Sequence, residues 1–232
     1  MDVIVANLPY MLRGLELTIL LSVVGLVGSS IVGAALAILR MSPWWWLRWP
    51  ASVYVDVMRM IPLIMVIFWI FFLFPILIGE AVPPVLAASA ALILFNSSYM
   101  AEVIRAGIQS VPAGLTEAAR SSGMSYLQCM GHIVLPVALK HMLPALVSRL
   151  IALLMGTSLA YIVGVTEFFR AANDINNRVF RPYDIYIFVA LVYFALCYSL
   201  SLLGRYLERR LSANERALPI VDRMTRLRVC YR

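Results

Sequence analysis

Long apolar runs separated by short charged segments dominate the chain. Asp, Glu, Lys and Arg are absent from residues 17–39, 60–79, 81–101, 150–166 and 185–204. A helix of about 20 mostly apolar residues crosses the ~30 Å hydrocarbon core of a bilayer. The pattern therefore predicts five transmembrane helices, the fourth extending back through Arg149 towards Pro144. The first run exceeds the roughly 7–15-residue apolar core of a removable signal peptide, so we expect it to be retained.

Composition agrees with an integral membrane protein. Apolar residues make up 62% of the 232 residues and charged residues only 13%, which is too little charge to cover a soluble domain of this length. We expect one all-α membrane domain over residues 1–210 and a basic cytoplasmic tail over residues 211–232. The histidines and cysteines are few and scattered, so neither a metal site nor a catalytic site is predicted.

The distribution of Lys and Arg predicts the orientation. Five spans place the two termini on opposite sides, and with the N-terminus outside, the inner segments carry fourteen Lys and Arg against four in the outer segments. Positive charge concentrates on the cytoplasmic side, so an outer N-terminus and a cytoplasmic C-terminus are predicted. The net charge of +7 then reflects topology and a tail that could touch anionic lipid, and no nucleic-acid partner is expected because no recognition module is present.

Four tryptophans cluster within residues 41–50, at a predicted cytoplasmic boundary. Tryptophan is enriched where membrane and water meet, so this cluster is interpreted as an aromatic belt. A docking place for another subunit is the alternative.

A polar segment that contains several glycines interrupts the apolar pattern at residues 112–136. It cannot cross hydrocarbon, because its polar groups would lose their hydrogen bonds. Pro112 is suited to the first turn of a helix, and Gly123 to the left-handed position that ends one. Ser125 and Gln128 form a capping-box pattern. The segment therefore predicts a helix, a sharp turn and a second helix that ends at Pro136.

The spacing in this segment resembles the EAA loop of ABC importer permeases. The matching residues are Glu117, Ala118, Ala119, Gly123, Ile133, Leu135 and Pro136. In that family the loop docks into the ATPase subunit, which implies that Glu117 and Arg120 pair with the ATPase while the two alanines let its surface approach closely. From local physics alone, an amphipathic bend lying on the membrane is an equal alternative.

Three further stretches resemble the polar amino acid subfamily of these permeases. They are residues 59–72, 97–125 and 156–172. The sequence of the last stretch is more similar to glutamate and aspartate permeases than to other members. The chain departs from the family pattern at Gly156, where the usual residue is Asp, and at Met60-Ile61 and Ser121-Ser122. The usual Asp is associated with substrate binding, so its absence leaves open whether this subunit has its own substrate site.

The resemblance implies an ABC type I importer fold in the bacterial cytoplasmic membrane, and a set of partners. These are an ATPase dimer that binds ATP and Mg²⁺, a solute-binding protein, a second permease subunit (identical or paralogous) and the lipid bilayer. The chain itself has no GxxxxGK[ST] loop and is expected to hold no cofactor and to be no enzyme. The implied function is import of polar amino acids by alternating access. An ABC permease for another small polar solute and a non-ABC structural subunit are the alternatives.

Polar side chains within the apolar runs are candidates for a solute pathway, because such residues are costly in a membrane. The candidates are Asn96, Tyr99, Glu102, Arg149, Thr157 and Ser158. Helical spacing places Arg149, Gly156 and Ala160 on one face, with Arg149 facing a solute carboxylate. The alternative is that Asn96 and Thr157 bond between helices and that Arg149 reaches to the cytoplasm. Glu167 and Arg170 are predicted at the outer mouth, either touching the binding protein or forming a surface ion pair.

Overall fold

The structure is a computed structural model that describes residues 2–213, and every regular element in that range is helical. The α-helices are α1 Asp2–Arg40, α2 Trp45–Met60, α3 Leu63–Phe68, α4 Phe74–Ile78, α5 Pro84–Gln109, α6 Ala113–Ser121, α7 Tyr126–Cys129, α8 Leu135–Gly156, α9 Phe168–Val179 and α10 Pro182–Ala213. Two π-helical turns, Trp69–Leu73 and Met130–Val134, and one 3₁₀ helix, Thr157–Val163, join some of them without a break.

Helices α1 and α5 pack along each other and form the centre of the bundle. At Gly33 a Cβ would lie only 2.5 Å from the Met100 Cβ, so the two backbones approach closely there. Leu21 of α1 and Leu92 of α5 then join Val66 of α3 in the largest buried apolar cluster. Close van der Waals packing of these side chains holds the helices together once they are inserted.

A sharp bend separates α2 from α3. The axes of Trp45–Met60 and Leu63–Leu77 differ by 109°. Pro62 causes the break, because proline forces the preceding residue out of the helical region and Ile61 has φ −100° and ψ 139°. The pair counts as one span if both halves lie in the membrane.

Four helices in the described residues are long and apolar enough to cross a membrane, and the bent pair makes five. The predicted runs lie largely within these spans, so the all-α prediction is confirmed, and the count of five is matched when the bent pair forms one span. The first span is much longer than its apolar run, because α1 begins at Asp2.

The prediction that the second helix of the polar segment ends at Pro136 is wrong. Helix continues from Tyr126 to Val163, and the fourth span therefore begins far before Pro144. The π-helical turn Met130–Val134 precedes Pro136, which lies at the start of α8. A shifted hydrogen-bond pattern in the preceding turn accommodates the missing proline N–H and its bulky ring, whereas a regular α-helix would be broken.

The bundle has two distinct ends. Arg40, Gln109 and α6 lie at one end, which we name the loop end. At the opposite end α9 packs between the start of α1 and the start of α10, through Met11, Phe168 and Ile185. Residues 211–213 complete α10, and the other residues of the predicted tail, 214–232, lie outside the described residues.

Candidate functional site

The polar segment forms a helical hairpin whose turn is defined by Gly123. Gly123 has φ +82°, in the left-handed region. Its N–H donates to the Arg120 carbonyl at 2.9 Å and the Met124 N–H to the Ala119 carbonyl at 3.1 Å. These bonds satisfy the last carbonyls of α6. The sharp turn predicted at Gly123 is therefore present.

The second arm begins with the predicted capping box. The Ser125 N–H donates to Gln128 Oε1 at 2.9 Å, and the Gln128 N–H donates to Ser125 Oγ at 3.4 Å. Each side chain satisfies a backbone donor that the helix leaves unpaired. The local sequence thus fixes both the end of α6 and the start of α7.

The hairpin has a small core of its own, and one alanine belongs to it. Ala119, Cys129 and Val134 are buried together, with Ile133 packed against them. The expectation that both alanines face an approaching surface is therefore wrong for Ala119, which is 6% exposed. Ala118 is exposed and remains available.

The remaining residues of the predicted coupling segment face outward. They are Glu117, Arg120, Leu135 and Pro136. No ion pair is found for either Glu117 or Arg120 among residues 2–213. An exposed acid and base on one short helix, beside a rigid turn, form a surface that can pair with charges of another protein.

A second group of residues lies where α2, α5 and α8 meet. The Arg149 guanidinium carbon is 3.9 Å from the centroid of the Tyr99 ring, and the Arg59 guanidinium carbon is 5.6 Å from the same centroid. Both lie within the range of cation–π attraction. We name Arg59, Tyr99 and Arg149 the arginine–tyrosine cluster.

Arg149 is only partly satisfied in this cluster. Its Nε is buried and has no hydrogen-bond partner among the described residues. A buried guanidinium N–H normally has an acceptor. Arg149 therefore presents an unused donor beside a second guanidinium, which favours contact with an anionic group.

Glu102 is held in an ion-pair network rather than presented to a passage. Arg40 Nη1 lies 2.5 Å from Glu102 Oε2, Arg105 also binds the carboxylate, and Arg59 Nη1 lies 3.8 Å away. With its charge compensated by these cations, Glu102 has little capacity left for a cationic solute. Its contact with Arg59 instead helps to position the arginine–tyrosine cluster.

The structure does not bring the other pathway candidates to this cluster. Asn96 is 3% exposed and donates to the Leu92 carbonyl at 2.9 Å. Thr157 is fully buried and Ser158 partly exposed, and their hydroxyls donate to carbonyls of the preceding turn. The face expected to be shared by Arg149, Gly156 and Ala160 extends only to Gly156. Arg149 and Gly156 lie seven residues apart within α8, whereas Ala160 lies in the following 3₁₀ helix, which has another periodicity.

Glu167 and Arg170 do not form the surface pair considered from their spacing. Glu167 is 0% exposed and accepts hydrogen bonds from the backbone N–H groups of Phe169 and Arg170, so it caps α9. The Arg170 guanidinium donates to the Tyr161 carbonyl at 2.8 Å. Burial makes Glu167 a structural residue, inaccessible to a partner protein.

Arg59 is the member of the cluster that sequence reasoning missed as a site residue. It starts the stretch 59–72 that resembles the polar amino acid subfamily. Its position directly before the apolar run 60–79 was the available signal, because a charged side chain at a membrane helix is costly and usually has a partner.

Comparison with known proteins confirms the resemblance to ABC importer permeases. A family model described as "Binding-protein-dependent transport system inner membrane component" matches residues 25–213. The glutamate/aspartate import permease protein GltK of Escherichia coli is 37% identical over 214 residues, covering 89% of this chain and 96% of that protein. The probable glutamine ABC transporter permease protein GlnM of Bacillus subtilis is 38% identical over 205 residues, covering 88% and 94%.

Solved structures of ABC transporters also match this chain. The crystal structure of an amino acid ABC transporter with histidines matches with a TM-score of 0.84 at 32% identity, over 89% of this chain and 96% of that one. The MetNI methionine ABC transporter in an inward-facing conformation has a TM-score of 0.70 at 21% identity, over 91% and 97%, and shares the fold. The chain therefore belongs to the family of inner membrane components of binding-protein-dependent transport systems, which are multi-pass permease subunits of ABC importers and not enzymes, ATP hydrolysis being carried out by a separate chain.

Proposed function

We propose that this chain is the permease subunit of an ATP-driven importer of acidic amino acids, with glutamate and aspartate as the first solutes to test. The observation that carries the proposal is the pair of guanidinium groups of Arg59 and Arg149 beside Tyr99, with the buried Nε of Arg149 lacking a partner among the described residues. The similar proteins are named for glutamate/aspartate, glutamine and other amino acids at comparable identity, so the choice among solutes rests on the cluster.

Two guanidinium groups suit a solute that carries carboxylates. Arginine binds a carboxylate through two parallel N–H donors, and such charge-assisted bonds are stronger than neutral ones. Every amino acid brings one carboxylate, and glutamate or aspartate brings a second. The positive charge of Arg59 and Arg149 is compensated only in part, since Glu102 is also shared with Arg40 and Arg105.

Gly156 argues against a cationic solute. The resemblance to the polar amino acid subfamily implies an Asp at this position, and this chain has Gly156 instead. Here a Cβ would lie 3.1 Å from Leu63 Cδ2, so the site has an apolar lining and no carboxylate. A passage with two arginines and without that acid favours anions over cations.

The family supports a proposal for the partners, and the charge distribution supports one for the orientation. We propose that the loop end faces the cytoplasm, in agreement with the distribution of Lys and Arg. The exposed Glu117 and Arg120 then meet an ATPase dimer that binds ATP and Mg²⁺, and the rigid turn at Gly123 transmits its closure. A solute-binding protein delivers the amino acid at the opposite end, and a second permease, identical or paralogous, completes the passage.

The first test is purification of the tagged chain from its native membrane in mild detergent, with mass spectrometry of the proteins that accompany it. An ATPase chain in the eluate supports the proposed assembly. Its absence, under conditions that keep a known importer intact, contradicts docking through residues 112–136. A second permease in the same eluate distinguishes a heterodimer from a homodimer.

The second test measures solute choice with the purified complex in proteoliposomes. Uptake of labelled glutamate, aspartate, glutamine and arginine is compared for the wild-type chain, Arg149→Gln and Arg59→Gln. We expect acidic uptake to fall at least tenfold in both variants, because a lost charged hydrogen bond is worth about 1.5–3 kcal/mol. Ser148→Ala is the matched control, since Ser148 is exposed and bonds only to the Pro144 carbonyl.

Two outcomes contradict the acidic-solute proposal. One is robust arginine uptake without glutamate or aspartate uptake by the wild-type complex. The other is unchanged affinity and rate in Arg149→Gln, which would remove Arg149 from the passage. Neither outcome affects the family assignment, which rests on the comparisons.

A further inference from the structure

A basic cavity opens at the loop end, apart from both groups described above. Its volume is about 480 Å³. The lining residues come from α1, the connector after it, α2 and α5, and are Arg40, Met41, Arg48, Ser52, Arg105 and Gln109. The size falls within the range of cavities that hold small polar ligands or headgroups.

The lining carries three guanidinium groups and no carboxylate. Two of them are held in place: Glu102 binds both Arg40 and Arg105, and Arg105 Nη1 also donates to Gln109 Oε1 at 2.7 Å. Arg48 is exposed and has no ion pair with any described residue. The cavity therefore combines a fixed pair of cations with a third that is free to close on a ligand.

The surrounding charges leave a positive surplus. The nearest acids are Glu102, already shared by three arginines, and Asp56, whose Oδ1 lies 3.7 Å from Arg40 Nη2. The first turn of α2 has no acidic residue, and no side chain caps it. With three guanidinium groups in its lining and no carboxylate, the cavity favours an anion.

Four exposed tryptophans lie within four residues of Arg48, at and just before the start of α2. Trp44, Trp45, Trp46 and Trp49 are exposed by 59%, 68%, 59% and 65%, and they flank Arg48 in the sequence. Tryptophan at this exposure suits the depth of lipid headgroups, where its ring meets acyl chains and its N–H meets water. A free anion in solution would need the arginines but not the tryptophans.

We propose that the basic cavity binds the headgroup phosphate of an anionic phospholipid, with the lipid's acyl chains lying against the four tryptophans. Basic pockets between membrane helices on the cytoplasmic side recognise anionic headgroups. Arg40 and Arg105 offer preorganised donors to the phosphate oxygens, and Arg48 covers them from α2. The lipid then ties α1, α2 and α5 together at the loop end.

The test uses native mass spectrometry of the full-length chain, purified with its partners in mild detergent and titrated with phosphatidylglycerol or phosphatidylcholine. Arg48→Gln is the test variant, because it removes a lining charge without breaking an ion pair. Arg209→Gln on α10 is the matched control, since Arg209 is also exposed at the loop end but does not line the cavity. Thermal unfolding of each variant in lipid-free detergent verifies that it is folded.

We expect the wild-type chain and Arg209→Gln to retain phosphatidylglycerol in preference to phosphatidylcholine. Arg48→Gln should lose about tenfold in phosphatidylglycerol affinity, and replacement of Trp45 and Trp46 by alanine should weaken retention further. Equal loss in Arg48→Gln and Arg209→Gln overturns the proposal, because it indicates general surface attraction. Equal retention of both lipids overturns it as well.

A parallel titration with inorganic phosphate distinguishes the two sources of the anion. If phosphate displaces phosphatidylglycerol at a concentration similar to that of the lipid, the cavity recognises a free anion and the lipid proposal is wrong. If phosphate competes only in large excess, the tryptophan contacts contribute and the lipid is the ligand. Solute uptake does not enter these measurements, so the outcome is independent of the proposed transport function.

Discussion

The Arg149 guanidinium carbon lies 3.9 Å from the centroid of the Tyr99 ring, and this contact joins α8 to α5. The face of an aromatic ring attracts a cation, and the attraction is worth up to ~2 kcal/mol when water is excluded. The ring therefore holds Arg149 in position while leaving its Nε without a partner among the described residues.

We predict that the ring of Tyr99, and not its hydroxyl, matters for transport. Tyr99→Phe keeps the ring face and should retain uptake within about twofold, whereas Tyr99→Leu should lower uptake by roughly 5- to 30-fold, which corresponds to ~1–2 kcal/mol. Initial rates of acidic amino acid uptake in proteoliposomes measure the difference. Equal loss in both variants would assign the effect to the hydroxyl and contradict the cation–π role.

A second prediction concerns coupling through the hairpin turn. Gly123 has φ +82° and no atom within 4 Å of its Cβ position, so a side chain there meets backbone strain but no steric clash with a neighbour. Left-handed backbone costs a non-glycine residue ~1–2 kcal/mol, and asparagine tolerates it best. Gly123→Val should uncouple ATP hydrolysis from the loaded binding protein, and Gly123→Asn should preserve most of the coupling.

Gly131→Ala is the control for this experiment. Gly131 also has open space at its Cβ position but lacks a positive φ, so the variant should behave as wild type. The measurement is ATPase activity with and without the solute-loaded binding protein. Full stimulation in a correctly inserted Gly123→Val protein would show that the turn does not transmit the movement.

The hairpin turn at Gly123 and the arginine–tyrosine cluster differ in how far the sequence could predict them. The turn at Gly123 and the capping box of Ser125 and Gln128 are local, because each depends on residues only a few positions apart. The apolar runs likewise predicted five spans, since span length follows directly from bilayer thickness. The family resemblance added the docking role of the loop, which local physics left open.

Contacts between distant segments could not be predicted in the same way. Arg59, Tyr99 and Arg149 come from three helices, and no spacing rule places them together. Helical periodicity failed for Ala160 because it assumed one continuous α-helix, whereas a 3₁₀ helix begins after Gly156.

Two further errors have definite physical causes. The rule that proline breaks regular α-helices predicts a helix end at Pro136, but the π-helical turn before it accommodates the proline. Glu167 was placed on the surface because charged residues are seldom fully buried. Its burial is possible because backbone N–H groups and a tyrosine hydroxyl satisfy the carboxyl group.

A third prediction tests the contact between α1 and α5. At Gly33 a Cβ would lie 2.5 Å from the Met100 Cβ and 3.0 Å from the Ser97 carbonyl oxygen, neither of which can move away easily inside a packed bundle. Gly33→Ala should therefore destabilise the protein by ~1–3 kcal/mol, the usual cost of overpacking. The melting temperature in detergent measures this change.

Ala35→Leu is the control for the Gly33 variant. Ala35 is exposed on the same helix, so a larger added volume there should leave the melting temperature nearly unchanged. An unaltered melting temperature in Gly33→Ala would mean that α1 and α5 can move apart without a loss of stability. This result would contradict a tight contact at Gly33.

Glu167 supplies a prediction about pH. The carboxyl group is fully buried at the start of α9, where Oε1 accepts from the Arg170 N–H at 2.7 Å and Oε2 from the Phe169 N–H at 2.8 Å. The Tyr193 hydroxyl lies 3.4 Å from Oε2. Burial disfavours the charged form and raises the pKa of Glu167 to about 7, although the two backbone donors oppose the shift.

A raised pKa means that the folded protein holds this proton more tightly than the unfolded chain does. The stabilisation is complete below the ordinary pKa of 4.5 and is lost as the pH rises through about 7. Between about pH 5.5 and about pH 8 the free energy of unfolding should fall by ~2 kcal/mol from this group. Melting temperatures in detergent across that range should therefore decrease with rising pH.

Glu167→Gln should remove this part of the pH response, because an amide does not titrate. Its melting temperature should be lower than that of the wild type at acid pH, since the amide nitrogen cannot accept the hydrogen bond that one carboxyl oxygen accepts from α9. Glu16→Gln, at an exposed acid on α1, should keep the wild-type response. If Glu167→Gln retains the full decrease with pH, or if the wild-type protein becomes more stable as pH rises, then the buried carboxyl group does not titrate in this range and its proton does not stabilise the fold.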